Sequence, residues 1–170
     1  MLGLSTLGAV HTAFALVAVV CGYAMLLRFG RISAELSLGK TYIVGTAISC
    51  FTSFGIFMHG GFNVAHSLGI LTLVVLGVAA VAGRSRETSR LATYVETIGL
   101  SLTLFFHMIP GLTETFTRFP MGSPLFSGPE DPKLQKVVGF AFLLFLIIIA
   151  LQIRHIWKAP TLMRCRTGLA

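Results

Sequence analysis

The sequence predicts an all-α fold, a polytopic transmembrane bundle of about five helices, on three observations. Of its 170 residues, 55% are hydrophobic and only 11% charged, with mean hydropathy +0.86. A soluble domain carries about 25% charged residues, so this chain lacks the polar surface that water demands. Five apolar stretches approach the ~20 residues needed to cross a ~30 Å hydrocarbon core. Lysine and arginine fall unevenly between those stretches, ten on one side and three on the other.

The first span is expected near 6–28. The opening MLGLSTLGAVHTAF has no basic n-region, so it reads as the start of this span and not as a signal peptide. Gly30 and Gly39 flank the first connection, and the second span is expected near 40–59. Gly60, Gly61 and Asn63 make a tight turn into a third span near 64–83. Gly83 and the polar RSRETSR segment lead to a fourth near 90–109, which Pro110-Gly111 should stop. Asp131-Pro132 is a good N-cap and first-turn pair for the fifth, near 134–157. Segment 110–133, with five of the six prolines, is then the one long loop. Each run is too long for a barrel strand and none alternates, so helix is the only state that satisfies the backbone in lipid.

Arg28, Arg31, Lys40, Arg84, Arg86, Arg90, Arg154, Lys158, Arg164 and Arg166 gather on one side, against Arg118, Lys133 and Lys136 on the other. The positive-inside rule then places the N-terminus outside and the C-terminus inside. The expected setting is the cytoplasmic (inner) membrane of a bacterium, with all of 1–170 in one membrane domain. The net charge of +7 therefore orients helices, and no nucleic-acid partner is expected. Cys21, Cys50 and Cys165 form no CxxC pair and no disulfide framework.

An internal repeat overlays His11–Gly22 on His66–Gly77, matching the His, a small hydroxyl residue, a Leu, two Val and the Gly. Each of these helices is followed by a partner that ends in a histidine, His59 or His107. Spans 1–2 and 3–4 thus read as two copies of one hairpin, related by an axis along the membrane normal, with a fifth helix added.

At 1.5 Å per residue, His11, His59, His66 and His107 all fall roughly 9–14 Å above the midplane, within about 5 Å of one another in depth. Four imidazoles from four helices at one level are a candidate cofactor or metal layer. Ionisable groups in membrane helices usually face the protein interior. The plainer alternative is that each imidazole simply hydrogen-bonds a neighbouring helix. As a cofactor layer it would hold haem b, which needs two axial nitrogens from facing helices. As a bare metal centre it would take copper, zinc or iron. The role would be electron transfer with an extracytoplasmic redox partner or a quinone. Met58 and Met108 adjoin two of the histidines, but neighbours in a helix point about 100° apart and seldom share a ligand sphere.

Glu96 is the most costly side chain in the spans. It is a candidate proton-relay or cation residue, or else a satisfied carboxylate paired with a cytoplasmic-side arginine or with Ser49, Thr52 and Ser53. Glu114, four residues past Pro110, is a candidate supporting partner for the histidine layer. No Ser-His-Asp pattern, phosphate loop, HExxH or hydrolase carboxylate pair is present, so hydrolysis and phosphoryl transfer are not expected.

The stretch from His11 to about Gly83 resembles a family of small uncharacterised bacterial predicted membrane proteins. The resemblance rests on His11, Ala15 and Gly22 of the first helix and on Gly39, Lys40 and Tyr42 at the start of the second. Members often carry His-Arg before that glycine; here Glu35-Leu36-Ser37-Leu38 stands instead. A four-helix histidine bundle is also similar in architecture to b561-type cytochromes, and architecture does not carry function. The competing expectation is a non-catalytic accessory or assembly subunit of a larger membrane complex, with the lipid bilayer and other membrane subunits as partners. A permease would rest on Glu96 and the hydroxyls of the second span alone.

Overall fold

A computed structural model describes residues 6–56 and 62–158. Five helices follow in order: α1 (Thr6–Phe29), α2 (Ser37–Ser53), α3 (Val64–Gly83), α4 (Arg90–Arg118) and α5 (Pro132–Lys158). Four of them, α1, α3, α4 and α5, are long and apolar enough to cross a membrane. The 17-residue α2 lies antiparallel along α1, from Tyr42 beside Gly22 to Gly55 beside Leu7. The chain is a membrane helical protein.

α1, α2, α3 and α4 form a ring in which each touches the next and α4 closes back on α1. α5 lies outside the ring against α4. α2 and α4 therefore stand diagonally across the bundle, and only side chains bridge them. Tyr42 does so, its hydroxyl 3.1 Å from the Leu100 carbonyl and 2.6 Å from Thr103 Oγ1. Around it pack Ala18, Met25, Leu76, Ala79, Leu100 and Leu104. Gly22 sets the spacing: a Cβ there would lie 2.9 Å from Leu104 Cδ1 and 3.1 Å from the Tyr42 ring. Van der Waals packing of small residues, not a hydrophobic drive, joins helices in lipid.

Two boundaries differ from the sequence expectation. α4 runs through Pro110 to Arg118, so the connection to α5 shortens to residues 119–131. A proline inside a soluble helix costs about 3 kcal/mol, but membrane helices tolerate it where other groups support the freed backbone. Past the proline, the Thr113 and Thr117 hydroxyls bond back to the Ile109 and Thr113 carbonyls, and the Phe126 ring returns to pack edge-on against Phe116. α2 ends at Ser53, not 59. The Gly55 and Ile56 N–H groups turn to the Thr52 and Ser53 carbonyls, three residues back, which tightens and closes the helix.

The two ends of the bundle differ in kind. One holds the start of α1, the end of α2 and the start of α3, with His11 and His66; His107 reaches toward it from α4. The other holds the connections 30–36 and 84–89 and the end of α5, with most of the arginines. They are called below the histidine end and the arginine end.

Candidate functional site

At the histidine end, α2 is the common anchor. Ser49 and Thr46 are three residues apart and so share one face of α2, a turn apart. His11 from α1 brings Nδ1 to 2.8 Å from the Ser49 carbonyl oxygen, and the Ser49 and Thr52 hydroxyls lie at 3.4 Å. A carbonyl only accepts, so Nδ1–H is the donor. His107 from α4 places Nε2 3.1 Å from Thr46 Oγ1. Each of the two imidazoles thus has one nitrogen turned toward α2.

His66 is buried and belongs to a cap. Asn63 closes the first turn of α3, its Oδ1 accepting the Ala65 N–H at 2.9 Å, and His66 Nδ1 lies 2.9 Å from the same oxygen. The ring stacks between Phe54 and Phe62, centroids 6.4 and 5.5 Å away. His59 lies outside the described residues. Among the described residues no group of three or more His, Cys, Asp or Glu side chains gathers closely enough to hold a metal ion. Glu114 stands in the last turns of α4, exposed, with its carboxylate 2.5 Å from Arg118 Nε. It does not reach the histidines. An apolar groove between α3 and α4 and a polar cleft beside Glu35 and Glu87 are both lined by other residues.

The arginine end holds the ionic cluster. Glu96 is fully buried. Its Oε1 accepts the Ala34 N–H at 2.9 Å, with the Ser33 hydroxyl at 3.5 Å. Its Oε2 lies 3.6 Å from an Arg86 guanidinium nitrogen. The same guanidinium bonds Ser33 Oγ and pairs with Glu35. One arginine thus ties the 84–89 connection, the 30–36 connection and α4 together. Gly83 makes the room, because a Cβ there would sit 2.7 Å from Glu96 Oε1. Burial, then the nearby Arg86 charge, lower the pKa of Arg31 beside this cluster, while Glu96 opposes the shift. Of the two partner sets expected for Glu96, the arginine is the one present; Ser49 and Thr52 are turned to His11.

Several tying residues had no strong mark in the sequence. Gln152 of α5 accepts from Ser101 at 3.1 Å and donates to the Gly30 carbonyl at 3.0 Å, joining α5 to α4 and to the end of α1. Arg90 donates to the last carbonyls of α5, Ile156 at 3.0 Å and Trp157 at 2.6 Å. A lone glutamine in an apolar run was the available signal for the first.

The repeat is carried by the hairpin architecture more than by its matched residues. α1–α2 and α3–α4 are both antiparallel pairs. Yet His11 bonds a neighbouring helix while His66 bonds its own cap, and Gly77 faces open space where Gly22 is crowded. Gly39 and Tyr42, quoted for the family resemblance, are packing residues here: Gly39 lies against the Ser33 carbonyl and Tyr42 fills the core.

No known protein family, curated protein or solved structure matches this chain.

Proposed function

We propose that this chain is a non-catalytic accessory or assembly subunit of a larger membrane complex, and that His11 and His107 are interhelical ties. The observation that carries the reading is the convergence of His11 and His107 on one face of α2, where Ser49 and Thr46 take up one nitrogen of each. Such bonds hold α1 and α4 to α2. The Lys and Arg asymmetry supports placement in the cytoplasmic membrane of a bacterium with the N-terminus outside.

The test is purification of the tagged full-length chain from its native membrane in mild detergent. The reading expects co-migration with other membrane subunits at fixed stoichiometry. A monodisperse protein that runs alone contradicts it.

His11 favours a second reading. An imidazole whose Nδ1–H is held by a main-chain carbonyl is oriented as metal-bound histidines are, which leaves Nε2 to meet haem b or a copper, zinc or iron ion. The role would then be electron transfer, and the ligand set would need residues beyond His11 and His107.

A further inference from the structure

The last two turns of α5 carry a feature that neither the ties nor the ionic cluster uses. Arg154 and Lys158 are exposed, four residues apart on one face, with Trp157 beside them and also exposed. Buried Gln152 and Ile156 mark the opposite face. Going back along the helix, the charged face continues as Leu143, Ile147 and Leu151, all exposed. The stripe is therefore apolar over three turns and cationic at its end. Among the described residues neither cation has an acidic partner, and no Asp or Glu follows Asp131 in the chain.

Two further contacts prepare this end for an anion. Arg90 takes the Ile156 and Trp157 carbonyls, which removes the partial negative charge that a helix C-terminus would otherwise present. Gln152 and Arg90 together fix the end of α5 against the bundle. The imbalance is also local to one end. The arginine end carries eight described Lys and Arg against Glu35, Glu87 and Glu96, whereas Arg118, Lys133 and Lys136 at the other end are matched by Glu114, Glu130 and Asp131.

We propose that the end of α5, through Arg154, Lys158 and Trp157, is a docking site for an anionic phospholipid. The acyl chain lies along Leu143, Ile147 and Leu151, and the phosphate and its net negative headgroup meet the two cations. Cations near a membrane surface attract anionic lipid with about fivefold gain each, and an indole prefers the headgroup level. An acidic protein segment would match the charge but not the apolar stripe that leads into it.

Trp157 is the single tryptophan of the chain, so the site contains its own reporter. The full-length protein is reconstituted in mixed vesicles of phosphatidylcholine and phosphatidylglycerol, with bromine on the chains of one lipid at a time. Quenching of Trp157 gives the relative binding constant. The expected result is a preference for phosphatidylglycerol of about fivefold or more. It should fall toward one in Arg154→Gln with Lys158→Gln, and stay unchanged in Lys133→Gln with Lys136→Gln. Should the first pair fail to fold, the unmodified protein must still lose the preference as salt is raised. Equal quenching by the two lipids, or a preference that survives both the double substitution and high salt, overturns the proposal.

Discussion

The two ends of this bundle solve the same problem with opposite chemistry. At the histidine end, α1 and α4 are tied to α2 by neutral hydrogen bonds from His11 and His107, and α3 is closed by Asn63 and His66. At the arginine end, two connections and α4 are tied by a buried carboxylate and one guanidinium. Neutral ties are each worth little and fail gracefully. The ionic cluster ties three segments at once, but losing one partner leaves a buried charge uncompensated.

That contrast sets the order of expected effects. Arg86→Met should be the most damaging change, because Glu96 is fully buried and breaking such a pair costs about 3–5 kcal/mol. Reversible unfolding in detergent would measure it. Adding Glu96→Gln to the same chain should recover most of the loss. A double variant as unstable as the single one would show that Arg86 acts through packing, not charge.

Next is Gly83→Ala, where the new Cβ meets Glu96 Oε1 at 2.7 Å. Glu96 is held by the Ala34 N–H and cannot simply swing away, so overpacking should cost about 1–3 kcal/mol. Gly77→Ala, which faces open space, is the control and should cost nothing measurable.

At the other end, His107→Ala or Thr46→Val should cost only about 0.6–1.7 kcal/mol, the range found for interhelical hydrogen bonds in membranes. If either costs as much as Arg86→Met, the contrast between the ends is wrong.

The smallest effect belongs to Asp131, which caps α5 outside the spans. Its carboxylate accepts the Ser127 N–H at 3.1 Å and the Lys133 N–H at 2.9 Å. These bonds, with Ser127 first, lower its pKa. A carboxyl whose folded pKa lies below its unfolded one contributes stability above the unfolded value and loses it as pH falls through the folded one. Asp131→Asn should therefore lower the melting temperature slightly at neutral pH and make no difference in strong acid. A gap that persists in acid would mean the cap does not depend on the charge.

What the sequence made legible follows from which physical signals are local. Helix type and helix number are written in apolar length, and five helices follow it, four of them long and apolar enough to cross a membrane. Direction is not: α1, α2 and α3 carry almost no amphipathic stripe to mark the interior, and nothing local says that His11 and His107 both turn to α2. Glu96 could be flagged as costly, but choosing Arg86 over Ser49 and Thr52 required knowing that the 84–89 connection folds over Gly83. Pro110 misled because a proline commonly stops a helix in water, whereas membrane helices tolerate one inside, and α4 runs through it to Arg118.

The central claim is that His11 and His107 tie helices, and an absorption spectrum tests it most directly. The detergent-purified full-length protein would be scanned oxidised and dithionite-reduced, with metal analysis on the same sample. The account predicts no Soret band and metal far below one ion per chain. A Soret band that sharpens on reduction and weakens in His11→Ala or His107→Ala, or near-stoichiometric copper, zinc or iron, would contradict it.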